Sequence, residues 1–227
     1  MTFQRARSDE QREVRRRAIL QTAAGMLDEM GVAELTLNEL SRRVGLAKSN
    51  VLRYFESREA VLLELLGSAA SDWLLDLEPR LEAGVDAGAT AQRRAEEVAA
   101  ILTATLVARP VLCELFGAQA AVLERNLSAE VAAGYKRGAL GVVATLSTLV
   151  QRALPELDGT DAGRFAAAAL LVTGAAWTHA QPTPAMLEVY ATHPDLAALR
   201  LDFGDAVQQL LVVLLAGLLA QRAASAG

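Results

Sequence analysis

Residues 36–59, TLNELSRRVGLAKSNVLRYFESRE, decide the fold. Thr36, followed by Glu39 three residues on, makes a capping box, in which a threonine hydroxyl accepts from a free amide at a helix start. Leu37, Leu40 and Val44 fall on one side of the short helix that follows. Gly45 stops it after barely two turns, because glycine tolerates the left-handed backbone a tight turn needs. A second short helix is predicted from about Lys48 to Tyr54, with Val51 and Phe55 turned inward. Ser57 then caps a longer helix that opens with Arg58 and Glu59 and continues through Leu62, Leu65, Leu66, Ala69 and Trp73. Two short helices joined by a glycine turn have the layout of a helix-turn-helix. Leu40, Val44, Leu46 and Val51 hold the pair together, and Ser41 is small where the helices approach. The outward side of the second helix offers Lys48, Ser49, Asn50, Arg53 and Tyr54. Such side chains donate to phosphates, and Arg and Asn can read guanine and adenine edges.

Upstream, Ile19, Ala23, Met26, Leu27 and Met30 recur at helical spacing, so one amphipathic helix is predicted over about 10–30, with Gly31 as its left-handed cap. Arg5, Arg7, Arg12, Arg15, Arg16 and Arg17 precede or open it, against only Asp9, Glu10 and Glu13. Such a run is ordinarily a solvated helix face. Ahead of a capped helix, a glycine turn and a polar helix, it reads as an arm that meets phosphate.

The whole chain has 227 residues and a net charge of −5. Its 45 alanines and 38 leucines favour helix, while β-branched and aromatic residues are sparse. An all-β fold and a disordered chain are both excluded. The charge is uneven: residues 1–60 carry 11 basic and 9 acidic groups, and the remainder is acidic. A general polyanion binder is therefore not expected, whereas a locally basic end is. Cys113 stands alone and His179 and His193 are two, so no metal site and no cofactor is expected, and Cys113 reads as a small buried residue. The longest apolar run, Leu210 to Ala220, is too short to cross a bilayer, and the start is polar and Arg-rich; the expectation is a cytoplasmic protein with no membrane partner.

The stretch from Ile19 to Leu66 resembles the DNA-binding domain of TetR-family transcriptional regulators. The resemblance is carried by the first-helix pattern, Gly31, the Thr36 start, Gly45-Leu46, the pair Tyr54-Phe55, and Ser57-Arg58-Glu59. It implies that Thr36 touches phosphate at the start of the second helix. Lys48, Ser49 and Asn50 would open the recognition helix, Tyr54 would lie near the DNA backbone, and Arg58 would meet phosphate beside a helix N-terminus. Arg15, Arg16 and Arg17 join this set as arm contacts, and Arg53 as a base or phosphate contact. Two departures stand out. Ala47 replaces the usual capping serine, a loss of about 1 kcal/mol. Leu52 replaces a phosphate-contacting tyrosine, a role Arg53 beside it could take.

Residues 61–227 are expected to form a larger helical effector-binding and dimerisation domain beside a DNA-binding domain over 1–60, in an all-α fold of about nine or ten helices. Pro79 and the loose Gly84–Gly88 stretch suggest the end of the fourth helix. Helices are predicted over 90–108, 111–123, from Ser128 to before Pro155, and over 161–179. A Pro-rich segment at 181–184, a short helical piece at 186–190 and a last helix over about 201–222 follow. That last helix is apolar all round, with Val207, Leu210, Leu211, Leu214 and Leu218 on one side and Val212, Val213, Ala216 and Leu219 on the other. A helix of this kind must be covered all round, which points to a partner subunit. The Ala-rich helix with Ala168, Val172 and Gly174 would supply the second interface helix. The family resemblance implies the same homodimer, built on a four-helix bundle. It also implies a small-molecule cavity, for which Trp73, Phe116, Gln119, Tyr135, Thr173 and Trp177 are candidates. Few charges pair inside these helices, so an apolar or aromatic effector is expected.

No Gly-rich phosphate loop, catalytic triad or carboxylate–histidine cluster has the spacing an enzyme needs. The expected activity is that of a homodimeric repressor on double-stranded DNA with a palindromic operator, released by a small ligand. An activator, a regulator controlled by a protein partner, and a helical ligand-binding protein with a weakened DNA module are the competing classes.

Overall fold

The computed structural model describes residues 2–225, and side chains from Glu10 to Ala224 except at position 121. The fold is all-α. Among the described residues the helices are α1 (Thr2–Leu27), α2 (Leu37–Val44), α3 (Lys48–Val51), α4 (Arg58–Gly84), α5 (Ala91–Val107) and α6 (Pro110–Ala118). After a π-helical turn (Gln119–Leu123) come α7 (Ala129–Ala153), α8 (Gly159–His179), α9 (Pro184–Thr192), α10 (Pro194–Ala197) and α11 (Phe203–Ser225). Eleven α-helices are described, two of them (α3 and α10) single turns, which agrees with the all-α fold of about nine or ten helices expected from the sequence.

Packing divides the chain into two compact units. One comprises residues up to Ser68 together with Ala118–Lys136; the other comprises Ala69–Gly117 and Arg137 onward. The first unit is thus not a contiguous N-terminal segment. Its core is Ile19, Ala23 and Met26 of α1, Val32 and Leu35 of the following turn, Leu40, Val51, Phe55, and Val61, Leu62 and Leu66 of α4. Ser128 donates its backbone N–H to the Glu56 carboxylate at 2.6 Å, which ties the segment before α7 to the chain just before α4.

Three boundaries differ from expectation. The basic run is the N-terminal half of α1 itself, not an arm preceding a helix. Gly31 does not cap α1: the helix ends at Leu27, and the amides of Glu29 and Met30 both turn back to the Met26 carbonyl. Among the described glycines only Gly45 has a positive φ. Pro79 does not end α4. The helix runs on to Gly84, held by Leu77 and Leu81, which are buried on either side of the proline. Their burial offsets the hydrogen bond that proline cannot make.

In the second unit α11 lies against α5 and α8. Trp177 near the end of α8 meets Phe203 at the start of α11, edge to face with centroids 5.2 Å apart. Arg222 near the end of α11 pairs with Asp161 at 2.7 Å and with Asp158, the residue that caps α8. The two helices therefore run antiparallel. Gly174 is needed for close approach, but to α6: a Cβ there would sit 2.8 Å from the Phe116 carbonyl oxygen. Its small size serves the chain's own packing. Cys113 is buried, donates to the Leu106 carbonyl at 3.3 Å, and has its thiol pushed up to about 12 by desolvation; it is structural.

Candidate nucleic-acid interface

The turn that aims α3 is built by hydrogen bonds the sequence dictates. Thr36 Oγ1 accepts from the Glu39 amide at 3.2 Å and caps α2. The hydroxyl is exposed and its own proton stays available as a donor. At the other end Gly45 has φ +73°, its N–H bonds the Arg42 carbonyl, and Leu46 N–H bonds the Ser41 carbonyl. This paired closure leaves the next residues free to start a new helix in a new direction. Ala47, at the cap position of α3, supplies no side-chain cap, as the sequence implies. The chain continues past Val51 as turns through Tyr54.

Val51 is wholly buried and Phe55 nearly so, while Lys48, Ser49, Asn50, Leu52 and Arg53 are exposed and Tyr54 is half-buried. A four-residue helix with one face fixed in a core and a polar face in solvent is a rigid presenting surface. Beside it, α1 and the turn after α3 flank an open cleft of about 830 Å³, lined by Arg12, Arg15, Arg53, Tyr54 and Glu10 among others. Arg12 reaches the Arg53 carbonyl at 3.5 Å.

The arginines of α1 divide by role. Arg15 is exposed, and Arg17 is exposed with only a distant partner in Glu13 at 4.0 Å. Arg16 is held inside the unit. Its Nε donates to Glu64 at 3.0 Å, Nη1 to the Tyr54 carbonyl at 3.0 Å, and Nη2 also to Glu64, while the guanidinium lies 4.4 Å from the Phe55 ring centroid. It joins α1, the end of the α3 turn and α4. The sequence does not separate it from its neighbours, because the three are consecutive; only the helical register turns one of them inward. Arg5 and Arg7 lie outside the residues whose side chains are described. Arg58 is mostly covered and near Glu59 at 3.9 Å, beside the α4 start where Ser57 Oγ accepts from Ala60 N–H.

A network absent from the sequence reading sits on α2. Arg42 and Arg43 both bind the Glu39 carboxylate, and Arg43 also reaches Glu29 at 2.6 Å. Hydrogen bonds from Arg42 first, then Arg43, hold the Glu39 carboxyl down at about 2. The signal was present as Glu39-x-x-Arg42-Arg43, at the spacing of helical ion pairs.

The six candidate pocket residues are distributed over both units. Trp73 and Thr173 are buried and engaged in the body: Trp73 Nε1 donates to Thr105 Oγ1 at 2.9 Å, and the Thr173 hydroxyl to the Ala169 carbonyl at 2.8 Å. Phe116 and Trp177 are half-buried in the same unit. Gln119 and Tyr135 belong to the first unit, where Gln119 donates to Glu124 at 2.8 Å and burial raises the Tyr135 phenol above its ordinary value.

Of the interface candidates, Val207 and Leu211 are wholly buried in their own chain. Ala168, Val172, Leu214 and Leu218 are half-exposed, and Leu210 is exposed. Leu171 (75% exposed), not singled out from sequence, and Val213 (67% exposed), named there on the far side of the last helix, are the most open large apolar side chains of α8 and α11. α11 as a whole is also long and apolar enough to cross a membrane, contrary to the reading of its 11-residue run, with only 22% of its apolar window buried.

The model for bacterial regulatory proteins of the tetR family matches residues 19–65, and that for the tetracyclin repressor-like C-terminal domain matches residues 68–222. The chain belongs to the TetR family: it is an all-α, DNA-binding transcription regulator with an N-terminal helix-turn-helix. No curated protein matches it. Among solved structures, a TetR transcriptional regulator from Rhodococcus sp. RHA1 is similar at 16% identity, covering 91% of this chain and 96% of that one, with a TM-score of 0.56. A possible TetR-family regulator from Streptomyces coelicolor A3(2) is similar at 23% identity over 90% and 98%, with a TM-score of 0.54. At these identities the likeness concerns the fold.

Proposed function

We propose that the chain is a homodimeric repressor of a palindromic operator, released by a small apolar ligand, with its DNA-binding domain in residues 1–60 and its effector-binding and dimerisation domain in 61–227. The observation that carries the reading is the polar outer face of α3 and the turn after it, with Lys48, Ser49, Asn50 and Arg53 in solvent and Val51 locked beneath them. Asn50 and Arg53 suit base edges, while Lys48, Ser49, Thr36 and Arg58 suit phosphates. Arg15 and Arg17 extend the phosphate set along α1. One short helix meets few base pairs, so specificity calls for two copies about a two-fold axis. The apolar face of Leu171, Leu210, Val213 and Leu214 on α8 and α11 is the surface for that second copy. The same contact accounts for a helix of membrane-like composition that is poorly covered by its own chain.

Ligand release acts as a population shift: the effector favours a half-site spacing that does not match the groove period. Selection of bound duplexes from a randomised pool at fixed, near-physiological salt tests the reading. An enriched inverted repeat is the expected outcome. Weak, salt-sensitive binding without enrichment would favour the helical ligand-binding alternative.

A further inference from the structure

The element that offers Asn50 and Arg53 to solvent is one helical turn followed by a tightened end. Past Val51, Arg53 N–H bonds the Asn50 carbonyl at 3.2 Å, and the Tyr54 and Phe55 amides both return to the Val51 carbonyl, at 2.9 and 3.1 Å. The last carbonyls of such a turn have no partner in their own helix and carry partial negative charge. Two guanidinium groups of α1 take them. Arg16 Nη1 donates to the Tyr54 carbonyl at 3.0 Å, and Arg12 Nη2 reaches the Arg53 carbonyl at 3.5 Å. Arg12 and Arg16 stand four residues apart, on one side of α1. The Arg16 group is itself immobilised: Nε and Nη2 fork onto the Glu64 carboxylate of α4, and the Phe55 ring centroid lies 4.4 Å away.

We infer that Arg16 is a positioning residue for base recognition, with Arg12 as a longer second strut: together they fix the backbone from which Arg53 reads a base. The bonded carbonyls belong to Arg53 and to the residue after it, so the root of the Arg53 side chain is held from α1 and α4. The side chain itself is exposed, and among the described residues its guanidinium has no partner. A long side chain takes its precision from its root, and recognition through paired hydrogen bonds tolerates a displacement of only about 0.5 Å. Arg16 has its Nε, Nη1 and Nη2 donors engaged inside the unit, so it supplies placement rather than a phosphate contact. A planar fork suits this task, since a lysine cannot bind Glu64 through two nitrogens and the carbonyl at once in a fixed plane. Arg16 therefore governs the ratio of affinities for right and wrong sequences, and leaves their salt dependence alone.

The inference rests on the reading of Arg53 as a base contact, and the experiment separates the two. The probes are the duplex that the native chain enriches from a randomised pool, and the same duplex changed at the position whose preference Arg53→Ala relaxes. The ratio of the two affinities is measured well below each variant's melting temperature for Arg16→Ala and Arg16→Lys, alone and with Arg53→Ala. A loss of folded fraction weakens both duplexes equally and leaves that ratio unchanged. The expected result is a ratio lowered about tenfold by Arg16→Ala and by a smaller factor by Arg16→Lys, with the salt slope kept. In the Arg53→Ala background neither substitution should lower it further. Where Arg16→Ala does not fold, Arg16→Lys decides by the same ratio. An unchanged ratio with weaker binding to both duplexes overturns the inference and leaves Arg16 a purely structural residue. A salt slope reduced by about one overturns it by making Arg16 a phosphate contact. Further loss in the Arg53→Ala background also overturns it, because Arg16 then does not act through Arg53. If Arg53→Ala leaves the native preference intact at every position, the base reading falls and the positioning role falls with it.

Discussion

α2–α3 and α9–α10 are both pairs of short helices set off by turns, and their fates in the chain are opposite. α3 has four residues and no side-chain cap, yet Val51 and Phe55 anchor it in a core. α9 has nine residues, a threonine cap and a proline at its start, yet buries nothing. Local capping shows where a helix forms; burial shows whether its own chain holds it. An uncapped helix held by packing is positioned for a ligand on its free face. A capped helix with no packing is held by its local hydrogen bonds alone.

The difference can be broken first at its strongest point. Val51→Asp places an unpaired charge in the first core and should cost roughly 3–5 kcal/mol. Thermal melting should show the loss, and DNA binding should vanish with it. Val213→Asp sets like charges against each other on the face proposed for the second copy. It should weaken association about 100-fold or more in sedimentation experiments, with helical content unchanged. Arg53→Ala should cost about 1–3 kcal/mol of operator affinity and relax preference at one position if the side chain reads a base. A uniform loss across sequences would make it a phosphate contact.

Arg15 and Arg16 sharpen the comparison within one helix. Arg15→Ala should lower affinity for all duplexes and reduce the salt slope by about one. Arg16→Ala should leave that slope alone and destabilise the first unit by about 1–2 kcal/mol, since it strips Glu64 and the Tyr54 carbonyl of their partner. The smallest effect concerns Glu39. Its carboxyl is lowered in the folded chain from 4.5 to about 2, so the ion pairs it makes support α2 fully above the ordinary value and fade as pH falls toward 2. Solvent screens this group, and Glu39→Gln should remove only a shallow acid-side dependence visible by NMR titration.

Much of the first unit was legible because its punctuation is local. Thr36 and Ser57 each accept from an amide three residues on, and the Gly45 N–H donates to the carbonyl three residues back, so each does in the structure what its chemistry dictates. Gly31 misled because a glycine at the end of a pattern is compatible with several turns, and here the amides of Glu29 and Met30 close on Met26 first. Pro79 misled because burial of Leu77 and Leu81 outweighs one missing hydrogen bond. What could not be read is what depends on neighbours distant in sequence. The inward turn of Arg16 needs Glu64; the role of Gly174 needs Phe116. The all-round apolar character of α11 was plain, but which stripe meets its own chain is decided by α5 and α8: Val207 and Leu211 went inward, Leu210 and Val213 outward. The packing of Ala118–Lys136 with the DNA-binding helices likewise leaves no local trace.

Two copies of α3 reading one duplex would leave a two-fold mark in its sequence. Selection of duplexes from a randomised pool by the intact protein, sequenced after several rounds, reads that mark. An inverted repeat is expected, with half-sites about one helical turn or a multiple apart, lost on Val213→Asp and relaxed at one position of each half-site on Arg53→Ala. Enrichment of a single half-site, or none above salt-sensitive background, would contradict it.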